Sequence, residues 1–154
     1  MNIPFMSRFI GIGSKATTPK IRFANSVSAG QRARFGALLS GILHDLPDLL
    51  AVSVMDLRNG ELLATHHLPG KLDPGKAAAH NAEVIRQKQM ALRALGLADT
   101  ETIEDVLITL NSQWHVLRLL PGQRHFLHLM VNQRDTNLAL ARAVLQAHTA
   151  EPTT

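Results

Sequence analysis

Apolar residues recur at helical spacing in three stretches of this chain and at strand spacing in five others. The first helical stretch opens at Ser28 with Gln31 three residues on, a capping box in which each side chain satisfies an amide left unpaired by the first turn. Phe35, Leu38, Leu39, Ile42, Leu43 and Leu46 then follow at steps of three and four, forming one apolar face that Pro47 ends. Residues 51–57 turn extended, and Asn59-Gly60 predicts a tight hairpin turn with two left-handed residues before a second strand over 61–65. After a linker over 66–71, Asp73-Pro74 reads as an N-cap with proline at the first helical position, and Gly96 as a left-handed stop after Leu95.

Three strands are predicted over about 103–110, 114–120 and 125–132, with turns at Asn111-Ser112 and Pro121-Gly122. The last of them, Phe126-Leu127-His128-Leu129-Met130-Val131, is apolar on both faces, as a central strand covered on each side must be. Asp135 is read as the cap of a final helix with Leu138, Ala141, Val144 and Leu145 inward. The organisation expected is a flexible basic arm over 1–27, a domain over 28–148 and a disordered tail over 149–154.

On the second helix, steps of about 100° per residue place Ala77, Val84, Ile85, Ala91, Leu92 and Leu95 on one side. Glu83, Arg86, Gln87, Met90 and Arg93 fall on the other. Asn81 and Lys88 interrupt the apolar stripe. On spacing alone, Lys88 snorkels and Met90 is one of many ordinary surface apolar residues.

Composition narrows the class. A chain of 154 residues with 45% hydrophobic content fits one globular domain. Aromatic content is 4% with no Tyr, so there is no stacking surface for single-stranded nucleic acid. The absence of cysteine excludes thiolate metal sites, disulfides and thiol catalysis, in keeping with a cytoplasmic protein.

A pI near 10.1 misleads, because residues 1–44 hold six basic residues and no acid. The remainder has ten basic residues against twelve acidic ones, a net of −2. The basicity thus belongs to the arm and first helix, where it can meet an anionic surface. Phe5, Met6, Phe9 and Ile10 lie at near-helical spacing beside Arg8, enough for a short turn on a membrane, although so small an apolar face gains little. No run reaches the roughly 20 apolar residues of a membrane span, so a soluble protein is expected.

The hairpin Val54-Met55-Asp56-Leu57-Arg58-Asn59-Gly60-Glu61-Leu62-Leu63-Ala64, the alanines at 77, 78 and 79, and Thr136-Asn137-Leu138-Ala139-Leu140-Ala141-Arg142 resemble the roadblock, or dynein light-chain, family of profilin-like domains. Ala139 stands where that family most often has glycine, a change that costs nothing inside a helix. The resemblance spans about residues 29–148. It implies an α+β sandwich in the order α-β-β-α-β-β-β-α, with a five-stranded antiparallel sheet, the second helix on one face and the other two helices on the opposite face.

The resemblance further implies a non-enzymatic binding platform, homo- or heterodimeric, that accompanies a Ras-like small GTPase in bacteria and in some members accelerates GTP hydrolysis. Dimers of the family join sheets through a middle strand and pair their second helices. The strand over 103–110 would then be an edge, protected at its start by Glu104 and Asp105 and open over Val106, Leu107, Ile108, Thr109 and Leu110. Asn81 and Lys88 would face the second subunit, and Glu83, Arg86, Gln87, Met90 and Arg93 the GTPase. The alternatives are a membrane-tethering scaffold that uses the basic arm, and a profilin-like sensor of a small ligand.

Candidate chemistry is thin. His66 and His67 are placed in a loop, His115 and His128 on neighbouring strands without an assured common face, His125 at a strand start and His44 at a helix end. Ser40 and Ser53 lie on no nucleophile elbow, and Asp45, Asp48 and Asp56 suit capping and turn roles. No cofactor, metal or nucleic acid is expected.

Overall fold

A computed structural model describes residues 19–70 and 72–151. The elements run β1 (Arg22–Phe23), α1 (Ala29–Asp45), β2 (Ala51–Asp56), β3 (Leu62–His67), α2 (Gly75–Ala94), β4 (Asp105–Thr109), β5 (Gln113–Leu119), β6 (His125–Asn132) and α3 (Leu138–Thr149). Among the described residues the sheet has six strands in the order β1-β3-β2-β6-β5-β4, all neighbours antiparallel. The three helices and five of the strands match the expected architecture. The sixth strand, Arg22–Phe23, comes from the segment read as a flexible arm and corrects the five-stranded expectation. Phe5, Met6, Phe9 and Ile10 lie outside the described residues.

One face of the sheet is covered by α1 and α3. Phe35, Leu39, Ile42 and Leu43 of α1 and Ala141, Val144 and Leu145 of α3 pack on Val52, Val54, Leu127, Leu129 and Val131. Among the described residues the opposite face is covered by α2 alone, through Ala78, Ala82 and Ile85 on Met55, Leu117, Leu119 and Phe126. The alternation of β2 and β6 explains the division, since consecutive side chains go to opposite cores.

The caps hold in part. Ser28 and Gln31 form the expected box, with Ser28 Oγ accepting from Gln31 N at 3.2 Å and Gln31 Oε1 from Ser28 N at 3.0 Å. On α3 the cap is Asn137, whose side chain accepts from Leu140 N at 3.2 Å; Asp135 instead accepts from the Asn132 side chain. On α2 the cap residue is Pro74, which makes no side-chain bond, and the Asp73 carboxylate one residue before it accepts from Gly75 N, the first residue of the helix. Strand β3 runs on to His67, so both His66 and His67 belong to a strand rather than a loop.

The hairpin turn differs from the two-residue form. Among Asn59 and Gly60 only Gly60 has positive φ, at 69°, and Gly60 N donates to Asp56 O at 2.9 Å to close a wider loop. Asn59 contributes through its side chain, which accepts from Glu61 N. Gly60 is required twice over: its backbone is left-handed, and a Cβ there would come within 2.5 Å of Ala79 Cα. The glycine lets the hairpin tip and the start of α2 touch. No helix among the described residues is long and apolar enough to cross a membrane.

Candidate functional site

Strand β4 is the outer strand at one end of the sheet. Leu119 N donates to Glu104 O and Leu110 N to Gln113 O, so residues 104 and 110 turn their backbone groups toward β5. The two-residue period of an antiparallel ladder does the same for Val106 and Ile108 and aims the N–H and C=O of Leu107 and Thr109 away from the sheet. The five predicted edge residues therefore divide. Leu107 and Thr109 offer backbone, while Val106 and Ile108 send half-buried side chains under α2. The carbonyl of Leu110 accepts from Gln133 Nε2 at 2.6 Å, leaving its side chain, 44% exposed, as its contribution.

The edge is held in place by charge rather than left to fray. Asp105, nearly buried, pairs with Arg118 at 3.3 Å and with Arg142 of α3 at 3.0 Å. Arg118 also donates to Thr149 Oγ1, which in turn donates to Leu145 O. Asp105, read from sequence as a charge blocking the strand's start, is thus turned back onto α3.

Helix α2 presents a second surface beside this edge. Its buried face is Ala78, Asn81, Ala82 and Ile85. The apolar side predicted from the wheel is rotated partly into solvent, and Val84, Ala91 and Leu95 are exposed, Leu95 at 70%. They lie on the flank that carries Lys88, the same flank from which Asn81 reaches toward β6 and β5. Leu97, just past the helix, adds another exposed apolar group.

On the far flank, Met90 is 54% exposed and Arg93 is exposed, as expected. Glu83, Arg86 and Gln87 are tied to one another and to the hairpin. Arg86 Nη1 donates to Leu57 O at 2.7 Å and Arg58 O at 2.9 Å, its Nη2 pairs with Glu83, and Gln87 donates to Glu83. These bonds to Gln87 and Arg86 lower the Glu83 carboxyl below its ordinary range. Arg86 is accordingly a brace between α2 and the β2–β3 turn.

Asn81 was expected to face a second subunit; it faces this chain's own sheet. Its Nδ2 lies 3.1 Å from His128 Nδ1, His128 Nε2 lies 3.4 Å from His115 Nδ1, and His115 Nε2 lies 3.0 Å from Gln113 Oε1. The two rings sit 5.1 Å apart on the α2 face, because His115 and His128 occupy diagonal positions of neighbouring strands. One proton arrangement satisfies every link: Asn81 donates to His128, His128 to His115, and His115 to Gln113, with both imidazoles neutral. Burial, and then the neighbouring His115, push His128 down to about 3, while burial lowers His115. Each ring spends its lone pair inside the chain, which leaves none to hold an ion, and no group of three or more metal-ligating side chains occurs among the described residues.

This series was missed in the sequence. The signal was the coincidence of Asn81, a polar break in an apolar stripe, with His128, a polar break in an otherwise apolar strand; two such breaks in one core call for each other.

The chain has the roadblock fold. Solved structures that share it include Myxococcus xanthus MglB, at 15% identity over 80% of this chain and 87% of that one, with a TM-score of 0.68. The gliding protein MglB of Thermus thermophilus matches at 14% identity over 76% and 86%, TM-score 0.62, and a Roadblock/LC7 domain from Streptomyces avermitilis at 17% over 73% and 89%, TM-score 0.59. By sequence, no family model and no curated protein matches.

Proposed function

We propose that this protein is a non-enzymatic dimeric scaffold that binds a Ras-like small GTPase and modulates its GTP hydrolysis. The observation that carries the reading is a charge-anchored β4 edge that no strand pairs among the described residues, together with the exposed Val84, Ala91 and Leu95 flank of α2. Unpaired edges acquire a partner unless blocked, and nothing in Val106 to Leu110 is charged or proline. Its occupant in this reading is a second copy, joined antiparallel about a two-fold axis, which closes the assembly at two chains. Leu107 meeting its own mate sets the register, since that pairing also brings Asp105 opposite Thr109. The fold is shared with the MglB structures, and it is the resemblance of the sequence that supports pairing through this strand and the GTPase as client.

Met90 and Arg93 are the contacts proposed for the client, flanked by the braced Glu83, Arg86 and Gln87; a flexible thioether beside an arginine suits an adaptable surface. Two measurements test the reading. Leu107→Pro removes an outward N–H and is expected to convert the dimer to monomer in analytical ultracentrifugation. Met90→Ala with Arg93→Glu, which spares the Arg86 brace, is expected to leave the dimer intact while weakening GTPase binding at least tenfold by calorimetry. Unchanged mass in the first or unchanged affinity in the second removes the corresponding surface.

A further inference from the structure

At the other end of the sheet the outer strand is β1, and it is barely a strand. Among the described residues of this segment only Arg22 and Phe23 pair with β3, opposite Thr65 and Ala64, against a usual strand length of about five or six residues. One further bond runs from Ala24 N to Leu63 O at 2.9 Å, and His66 Nδ1 lies 3.2 Å from Lys20 O. What seats this short segment is a small apolar set, Ile21, Phe23 and Ala24, which pack half-buried on the α1-side core just ahead of the buried Val27. The Phe23 ring packs on the α1 side under the Arg32 guanidinium, 4.8 Å from its centroid, and against Gly36, where a Cβ would stand 3.4 Å from the ring.

Beneath it, β3 has the makings of an association edge. Residues 62–67 read Leu-Leu-Ala-Thr-His-His, with no acid, lysine or proline to discourage pairing. Leu63 and Thr65 turn their backbone groups toward β1, and those groups would meet solvent if it left.

We infer that β1 guards a second strand-addition surface, and that the occupant of that surface once β1 leaves is β3 of a second copy that has also released its guard. One open edge per chain yields a closed pair, whereas two yield a growing ribbon. The ribbon form rests on the β4 dimer proposed above, because only when β4 edges have consumed one another are β3 edges left to meet. The guarding itself does not depend on it.

The test uses the full chain carrying Phe23→Asp and Ala24→Pro, which remove the seated ring and the N–H given to Leu63. Sedimentation across a concentration series is expected to hold the parent at one finite mass and to show the variant at twice that mass or more, rising with concentration. A synthetic peptide of residues 19–27 added in trans is expected to return the variant to the parent's mass. In a Leu107→Pro background the guard variant should stop at a dimer, while Leu107→Pro alone is a monomer. If the parent proves monomeric the β4 reading fails, yet the guard variant is still expected to dimerise.

A second molecule covers misfolding of the first. Phe23→Cys with Ala64→Cys places a disulfide across facing positions in a chain without other cysteines. Oxidised, it should remain at the parent's mass; reduced, it should grow. Equal mass in both redox states, or growth that the peptide does not reverse, overturns the proposal.

Discussion

The two rims of this sheet are built on opposite principles. At β4 the backbone is open and the strand is pinned from behind by Asp105, Arg118 and Arg142. At β3 the backbone is covered, and the cover is held by the half-buried Ile21, Phe23 and Ala24, a cation above the ring and a few backbone bonds. An edge meant for a partner must stay rigid when alone, so its fastening is nearly buried and strong. A cover that can come off needs only enough hold to stay on, so its fastening lies near the surface. The two faces differ as well. Both bury polar groups, but on the α3 side they include the charged Asp105 and Arg118, and on the α2 side the neutral Asn81, His128 and His115.

The largest effect is expected where the open rim is fastened. Asp105→Ala strands a nearly buried Arg118 and should cost about 3 kcal/mol in urea unfolding. Amide exchange over residues 105–109 should accelerate more than that over 22–24. Equal acceleration at both rims would break the contrast.

Next comes pH. His128 is held at about 3 in the folded chain against about 6.5 when unfolded, so between these values the unfolded state binds the extra proton. Its stabilising neutrality is therefore complete above about pH 6.5 and lost as pH falls toward 3. Going from about pH 7 to pH 5 should remove about 2 kcal/mol through this residue, with His115 acting in the same sense. His128→Leu should flatten that slope in denaturant titrations at the two pH values, at the cost of leaving Asn81 unpaired.

Smaller changes address the covered rim. Ser28→Ala removes the capping box that starts α1 just after the guard strand and should cost about 1 kcal/mol, read as a lowered melting temperature. Arg32→Ala loses the stack on Phe23, worth about 0.5 kcal/mol at an exposed site. Its signature should be local: faster exchange at Ala24 with little change in global unfolding.

Most of the fold was legible because most of its elements carry their own instructions. The Ser28–Gln31 box, the apolar face from Phe35 to Leu46 and the doubly apolar run from Phe126 to Val131 each specify an element whatever surrounds them. What escaped was decided by partners. A strand of two residues such as Arg22–Phe23 has no period to read, and only β3 makes it one. The extension of β3 through His66 and His67 follows from pairing with Ala51 and Val52. The candidate surface was half legible. Helical spacing picked out Met90 and Arg93, but a rotation of α2 exposed Val84, Ala91 and Leu95. Asn81 looked like an interface residue because a buried polar group and an intermolecular one leave the same mark on a wheel.

The one-way order of donors from Asn81 through two imidazoles to Gln113 also gives the molecule a built-in reporter. A ring proton shared between His128 and His115, shielded from bulk water by α2, should persist as a slowly exchanging downfield signal in proton magnetic resonance. Any client that levers α2 off the sheet would erase it, and one that merely rests on the helix would leave it in place.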